Sequence, residues 1–340
     1  MSDPTATSSQ DIVEVDDLRV HFPVRSRGLF PRVIGQVKAV DGVSLRIPSG
    51  QTLGLVGESG CGKSTTGRAI LRLAPITSGS VRLEGRDVTE LTRQQLRPLR
   101  REAQMIFQDP FTSLNPRQTV GTIIAAPFRI QGVEPPGGVA SAVRELMDRV
   151  GLNPEHVNRY PNEFSGGQRQ RIGIARAIAL RPRLIICDEP VSALDVSIQA
   201  QILNLLAGLQ DEFGMSYLFI AHDLAVVRHV AQRVAVMYLG RIVESASRDE
   251  LFSAPLHPYT FALMSAIPVP DPVAQAARER IVLSGDPPSP LDPPPGCAFH
   301  TRCFKAQDRC RSDAPALREM GDGHQVACHF PMAEPATDPH

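Results

Sequence analysis

The sequence contains no tryptophan, only three lysines and no long hydrophobic run. No stretch approaches the roughly 18 apolar residues that a membrane-spanning helix needs, so we expect no transmembrane segment. Residues 1–11 are polar and lack the apolar core of a signal peptide, which predicts a disordered leader on a cytosolic chain. Basic and acidic residues balance at 36 each. A net charge of zero argues against a general nucleic-acid-binding protein.

The length of 340 residues corresponds to about two domains. We expect one domain over residues 12–267 and a proline-rich linker with a small cysteine-rich C-terminal module over residues 268–340. Short apolar segments followed by helices predict an α/β domain with a mainly parallel sheet. Within it, residues from about 110 to 180 are predicted to be mostly helical. The prolines of residues 286–295 exclude a helix or a central strand there, because proline lacks a backbone donor.

One of the three lysines lies in a glycine-rich motif. Residues 57–64 read Gly-Glu-Ser-Gly-Cys-Gly-Lys-Ser and match the pattern G-x-x-x-x-G-K-[ST] between a predicted strand and a predicted helix. The backbone N–H groups of such a loop bind phosphate oxygens. Lys63 is expected to reach the β- and γ-phosphates of a nucleotide, and Ser64 to bind Mg²⁺. The predicted phosphate-binding residues are Gly57, Ser59, Gly60, Cys61, Gly62, Lys63, Ser64 and Thr65.

A second candidate site element is an apolar segment, residues 184–187, that ends in two carboxylates. The carboxyl ends of parallel strands face the ligand crevice of an open α/β sheet. Asp188 is expected to help hold Mg²⁺, and Glu189 to orient or deprotonate an attacking water. Two solvated acids at a strand end are the alternative, but their combination with the glycine-rich loop favours nucleotide hydrolysis.

A third motif identifies a family resemblance. Residues 164–171, Phe-Ser-Gly-Gly-Gln-Arg-Gln-Arg, closely resemble the signature of ATP-binding-cassette (ABC) ATPases, and the resemblance covers residues 12–330. It implies a P-loop NTPase fold with a RecA-like core, an antiparallel β subdomain and a helical subdomain. It also implies that ATP and Mg²⁺ bind, and that the signature of one subunit closes on the ATP of another.

The same resemblance implies roles for residues outside the phosphate loop. Phe22 would stack on adenine, although it could instead belong to the core. Gln108 resembles the Q-loop glutamine, which contacts Mg²⁺ and takes part in catalysis, and His222 resembles the switch histidine. The residues that resemble the signature and the D-loop are Ser165, Gly166, Gly167, Gln168 and Asp195.

Further segments narrow the resemblance to the oligopeptide and dipeptide permease ATPases. Residues 105–110, 113–116, 187–200 and 257–260 resemble that group, and the match looks closest to its F-type subunit. This implies a hydrolytically competent ATPase that powers peptide import at the cytoplasmic face of a membrane. The implied partners are a D-type ATPase, two transmembrane permease subunits and an extracytoplasmic peptide-binding protein, with no nucleic acid.

Other functions remain open at this point. The chain could be a soluble ABC ATPase of DNA repair or translation, a regulatory subunit with a degenerate site, or an importer subunit for nickel or a glutathione-like solute. The first is disfavoured by a single cassette and by only 56 residues between Gln108 and Ser165. The second is disfavoured because the nucleotide motifs are complete. The solute is not readable from this chain, because the permease and the binding protein select it.

Four of the six cysteines lie in the last 44 residues. They are Cys297, Cys303, Cys310 and Cys328. Their spacing is wider than the C-x2-4-C pairs of zinc sites and unlike the usual ferredoxin patterns. The resemblance to peptide-permease ATPases, some of which carry such a cluster, favours a [4Fe–4S] cluster with a structural or assembly role that takes no part in ATP chemistry. Zinc, and free or disulfide-linked cysteines, stay open, and the histidines that could substitute as ligands are His300, His324 and His329.

Overall fold

The computed structural model describes residues 11–26, 32–267, 281–321 and 323–332. The chain divides into two compact units that are each discontinuous in sequence. The first comprises Met1–Glu14, Leu45–Thr52 and Val81–Ile220, and the second comprises Val15–Ser44, Leu53–Ser80 and Ala221–His340. Nearly all of the predicted leader lies outside the described residues, as do residues 268–280 of the predicted linker. No helix within the described ranges is long and apolar enough to cross a membrane.

The structure contains strands and helices with the following bounds. The strands are β1 Asp11–Arg25, β2 Val33–Pro48, β3 Thr52–Val56, β4 Ser78–Leu83, β5 Arg86–Asp87, β6 Ala103–Ile106, β7 Leu184–Asp188, β8 Ser216–Ala221, β9 Arg233–Tyr238, β10 Arg241–Ser247, β11 Arg318–Glu319 and β12 Gln325–Val326. The α-helices are α1 Lys63–Ile70, α2 Arg93–Glu102, α3 Pro110–Ser113, α4 Val120–Gln131, α5 Val139–Arg149, α6 Gly166–Ile178, α7 Val196–Phe213, α8 Leu224–Val230, α9 Arg248–Ser253, α10 Pro258–Ser265 and α11 Asp308–Ser312.

In the first unit, β6, β7 and β8 are neighbouring parallel strands. Leu184 of β7 aligns with Ala103 on one side and with Ser216 on the other. All five residues of β7 are buried, as expected for a parallel strand that is covered on both faces. This register sets Asp188 at the carboxyl end of β7. Between Pro110 and Ile178 every regular element is a helix, including two short 3₁₀ turns.

In the second unit, β3 pairs in parallel with β9, and the chain then continues as antiparallel pairs from β9 to β10, β12 and β11. The pairing of β10 with β12 aligns Glu244 with Val326. Val326 and Cys328 form a buried apolar cluster with Leu256. The C-terminal segment therefore extends the sheet of this unit and shares its core.

Glu244 links three segments of the second unit from a buried position on β10. Its carboxylate accepts hydrogen bonds from the backbone N–H groups of Leu256 at 2.6 Å and His257 at 2.9 Å, and it lies 2.7 Å from His324 Nε2. A buried carboxylate is tolerated only when such partners replace its hydration. This contact holds the start of α10 and the C-terminal segment to the same strand.

Replacing Glu244 by glutamine is therefore expected to destabilise the protein by about 3 kcal/mol, because an amide NH₂ would face N–H donors inside the core. Chemical denaturation monitored by circular dichroism measures this change. The control is Asp249→Asn, which alters an exposed acid beside Arg248 and should leave the denaturation midpoint nearly unchanged. Equal midpoints for Glu244→Gln and wild type would contradict the assigned role.

Candidate nucleotide site

The glycine-rich loop lies in the second unit, between β3 and α1, as the motif predicts. Gly60 and Gly62 have φ angles of 79° and 109°, which side chains rarely adopt. A Cβ on Gly62 would lie 2.0 Å from the carbonyl oxygen of Ala39, and one on Gly57 would lie 2.1 Å from that of Met237. Glycine is therefore required at both ends of the loop, because neighbouring backbone approaches too closely for any other residue.

The Lys63 ammonium is held within this loop. Lys63 is only 4% exposed, and its Nζ donates to the carbonyl oxygens of Gly57 at 2.7 Å and Glu58 at 2.9 Å. Gly62 precedes the first turn of α1 in a left-handed conformation. The N-terminus of α1 and a buried positive charge thus meet at one loop, an arrangement that suits a phosphate group.

Cys61 fills space within the loop. Its side chain is 5% exposed, and burial raises the pKa of its thiol, with the nearby Lys63 charge partly opposing that rise. The thiol is therefore protonated at neutral pH and is a poor nucleophile. Burial raises the pKa of Cys187 on β7 even further above its ordinary value.

The first unit brings Gln108 and Glu189 together. Gln108 Nε2 donates to Glu189 Oε2 at 2.9 Å. Glu189 directly follows the buried Asp188 and has a φ angle of 46°, an uncommon backbone conformation for a residue with a side chain. Strained conformations of this kind occur frequently at functional sites. The backbone N–H of Glu189 donates to the Ile220 carbonyl oxygen at 3.0 Å, which supports the conformation.

The predicted signature residues form the N-terminus of α6 in the same unit. Ser165 caps this helix: its hydroxyl accepts from the Gln168 N–H at 3.3 Å, and its own N–H donates to Gln168 Oε1 at 3.0 Å. Asp195 caps α7 by accepting from the Ile198 N–H at 3.0 Å. A Cβ on Gly167 would lie 2.6 Å from Ile198 Cγ2, so glycine allows the two helix starts to lie side by side.

The remaining predicted site residues occupy other places in the second unit. Phe22 lies on β1 with 37% of its surface exposed, and His222 is an exposed residue directly after β8. Ser59 is exposed, whereas Ser64 and Thr65 are partly buried in the first turn of α1. Their roles in nucleotide binding stay predictions.

Two residues that contact the phosphate loop escaped the sequence analysis. Tyr259 accepts a hydrogen bond from the backbone N–H of Glu58, and Arg302 pairs with the Glu58 carboxylate. Both lie more than 200 positions along the chain from Glu58. No local pattern singles them out, because Arg302 is one of many arginines and Tyr259 belongs to a segment that only a resemblance had noted.

The prediction of an iron–sulfur cluster is wrong. Within residues 281–321 and 323–332, as in the rest of the described chain, no group of three or more His, Cys, Asp or Glu side chains is arranged to hold a metal ion. The same finding gives no support to zinc. All six cysteines are free thiols.

The physical reason lies in the space and the protonation of these thiols. The four C-terminal cysteines line a common cavity of only about 10 Å³, close to the space of one water molecule. Burial raises the pKa of Cys297 and Cys303, and raises that of Cys328 to about 11. A metal ion would have to displace the protons that these raised pKa values hold on the thiols, which opposes binding.

The nearby histidines are engaged in other contacts. His300 Nδ1 lies 2.8 Å from the Cys297 carbonyl oxygen, His329 Nε2 lies 2.9 Å from that of Asp313, and His324 contacts Glu244. Phe299 packs against Tyr238 and Tyr259 with ring centroids 5.2 and 5.3 Å apart. Packing against other elements of the second unit therefore stabilises the C-terminal segment. The composition of the segment alone does not reveal this packing.

Comparison with known proteins supports both the resemblance to ABC ATPases and the narrower resemblance to the oligopeptide and dipeptide permease ATPases. Residues 40–192 match the family model described as ABC transporter, and residues 243–310 match that of the oligopeptide/dipeptide transporter C-terminal region. In the solved structures, the chain is similar to the dimeric ATP-binding cassette MJ0796 bound to ADP and phosphate. That similarity has a TM-score of 0.61 and 27% identity, and it covers 69% of this chain and 98% of the cassette. The predicted ABC-type P-loop fold and ATPase activity are confirmed.

Curated relatives match almost the whole chain. The oligopeptide transport ATP-binding protein AppF of Bacillus subtilis is 54% identical over 96% of this chain and 99% of its own length. OppF of Salmonella typhimurium is 53% identical over 93% of this chain and 95% of its own length. The di/tripeptide transport ATP-binding protein DppF of Pseudomonas aeruginosa is 51% identical over 94% of this chain and 98% of its own length. The chain belongs to the family of ATP-binding subunits of oligopeptide and dipeptide ABC transporters, ATPases that energise peptide uptake.

Proposed function

We propose that this chain is the F-type ATPase subunit of a peptide importer. The observation that carries the proposal is the match of residues 243–310 to the C-terminal region of oligopeptide/dipeptide transporters. An ABC ATPase of DNA repair or translation has no need of that region. The names of relatives that match at least 93% of the chain support the same solute class and the F-type subunit.

The nucleotide chemistry is assigned to the residues of the nucleotide motifs. Lys63 and the N-terminus of α1 bind the phosphates, and Phe22 stacks on adenine. Glu189 accepts the proton of the attacking water, held in place by Gln108, and His222 contacts the γ-phosphate. Ser64, Gln108 and Asp188 offer the oxygen donors that Mg²⁺ prefers. When bound, Mg²⁺ neutralises charge that develops between the β- and γ-phosphates.

The exposed signature implies a second subunit. Ser165, Gly166 and Gly167 open a helix whose N-terminal donors suit an anion, and Asp195 caps the helix beside it. We assign this surface to the ATP of a D-type partner, whose own signature closes on the glycine-rich loop of this chain. Two permease subunits hold the pair at the cytoplasmic face of the membrane, and an extracytoplasmic binding protein delivers the peptide.

Affinity purification of the tagged chain from its native membrane, followed by mass spectrometry, tests this proposal. We expect two permeases, a second ABC ATPase and a peptide-binding protein, and we expect ATP hydrolysis to rise when peptide-loaded binding protein is added. The Lys63→Ala variant is the matched control, because it should retain the partners and lose the hydrolysis. Recovery of DNA-repair or ribosomal proteins in place of permeases would overturn the proposal.

A further inference from the structure

The phosphate loop is tied to the C-terminal segment by an ion pair. Arg302 Nη1 and Nη2 donate to the two carboxylate oxygens of Glu58 at 2.7 and 3.1 Å. Glu58 follows the first glycine of the loop. The Arg302 side chain is almost fully buried, and that of Glu58 is about one-quarter exposed. Paired, parallel hydrogen bonds of this kind fix geometry as well as charge.

The backbone of Glu58 is held from two further directions. Its N–H donates to the Tyr259 hydroxyl at 2.9 Å, and its carbonyl oxygen accepts from Lys63 Nζ at 2.9 Å. The side chain and both backbone polar groups of Glu58 are therefore fixed. Two of the residues that make these contacts, Tyr259 and Arg302, come from the C-terminal part of the chain.

An aromatic cluster supports this contact. Phe299 is 1% exposed and packs with Tyr238 and Tyr259, whose own ring centroids are 4.8 Å apart. The Arg302 N–H donates to the Phe299 carbonyl oxygen at 3.0 Å, which closes a tight turn. The ring contacts of Phe299 therefore anchor one end of the turn that carries Arg302. The hydrogen bonds that Arg302 donates to the Glu58 carboxylate raise the pKa of Arg302, so it stays charged.

We propose that Arg302 is a positioning residue for ATP, which neutralises and orients Glu58 so that the phosphate loop accepts the triphosphate. The inference rests on the proposed binding of ATP at this loop. An unpaired carboxylate in the loop would repel the phosphates, because two like charges in a partly desolvated site interact strongly. The C-terminal segment thereby acts on ATP affinity, contrary to the expectation that it takes no part in ATP chemistry.

The test is a charge-rescue experiment on the full chain. Arg302→Ala is expected to weaken ATP binding about 10-fold or more, since it leaves the Glu58 carboxylate without its partner. The double variant Arg302→Ala/Glu58→Gln is expected to recover most of that affinity. Arg302→Lys should be intermediate, because lysine keeps the charge but lacks the two-pronged geometry. Equilibrium binding of a fluorescent ATP analogue measures all three.

A steady-state comparison in the assembled transporter separates positioning from general damage. We expect Arg302→Ala to raise the KM for ATP with little change in kcat. The matched control is Arg309→Ala, which removes an exposed arginine of the same segment that pairs with Asp313 and should bind ATP like wild type. If Arg302→Ala does not fold, Arg302→Gln replaces it, since it removes the charge and keeps hydrogen-bonding capacity.

Each outcome separates this inference from the proposed function. Wild-type affinity in Arg302→Ala, with binding lost in Lys63→Ala, overturns the inference and leaves the ATP site standing. If Arg302→Ala and the double variant bind ATP equally weakly, the role of Arg302 is structural, and this result also overturns the inference. Normal binding in Lys63→Ala overturns the ATP site itself.

Discussion

Replacement of Lys63 by alanine is expected to abolish ATP binding, with a loss of about 100-fold or more in affinity. The ammonium is nearly buried and already lies against two carbonyl oxygens of the glycine-rich loop. Without it, those carbonyl dipoles would face the phosphate oxygens with no positive charge between them. Isothermal titration calorimetry with ATP and Mg²⁺ measures the change.

Lys305, one of the other two lysines of the chain, provides the control for this variant. Lys305 donates to the Pro331 carbonyl oxygen in the C-terminal segment and lies outside the nucleotide motifs. Lys305→Ala should bind ATP like wild type, which shows that the loss belongs to the loop and not to total charge. Near-normal affinity in Lys63→Ala would remove this loop from the nucleotide site.

Replacement of Glu189 by glutamine is expected to keep ATP binding and to cut turnover by roughly 100-fold or more, the usual contribution of a general base. The amide has the shape of the carboxylate but cannot accept the proton of water. The ATP-bound closed dimer should therefore accumulate. Phosphate release by the assembled complex and retention of labelled ATP measure the two effects.

Two further variants make this result specific. Glu212→Gln changes an exposed acid at the end of α7 that pairs with Arg149, and it should hydrolyse ATP normally. Because the proposed second ATPase subunit would carry its own site, the equivalent change is made there separately and together with Glu189→Gln. A wild-type rate in the doubly substituted complex would show that Glu189 does not act on the water.

The comparison of sequence with structure is clearest at the nucleotide motifs. The loop from Gly57 to Ser64 is contiguous, and its spacing alone predicts the strand, the turn and the helix that the structure shows. The caps at Ser165 and Asp195 are also local, because each side chain bonds to a backbone N–H three residues later. Interactions within a few residues leave a readable pattern, since backbone geometry fixes their spacing.

The sequence alone therefore determined the ABC-type fold and the ATPase activity, and it predicts which residues approach the phosphates. Only the tertiary structure showed how the C-terminal segment packs. The family resemblance and the clustering of four cysteines suggested a metal cluster, but cavity size and thiol protonation depend on packing, and here neither favours one. The pairing of Arg302 with Glu58 joins residues 244 positions apart. Such a contact leaves no local pattern, because it forms only when the folded chain brings the two distant side chains together.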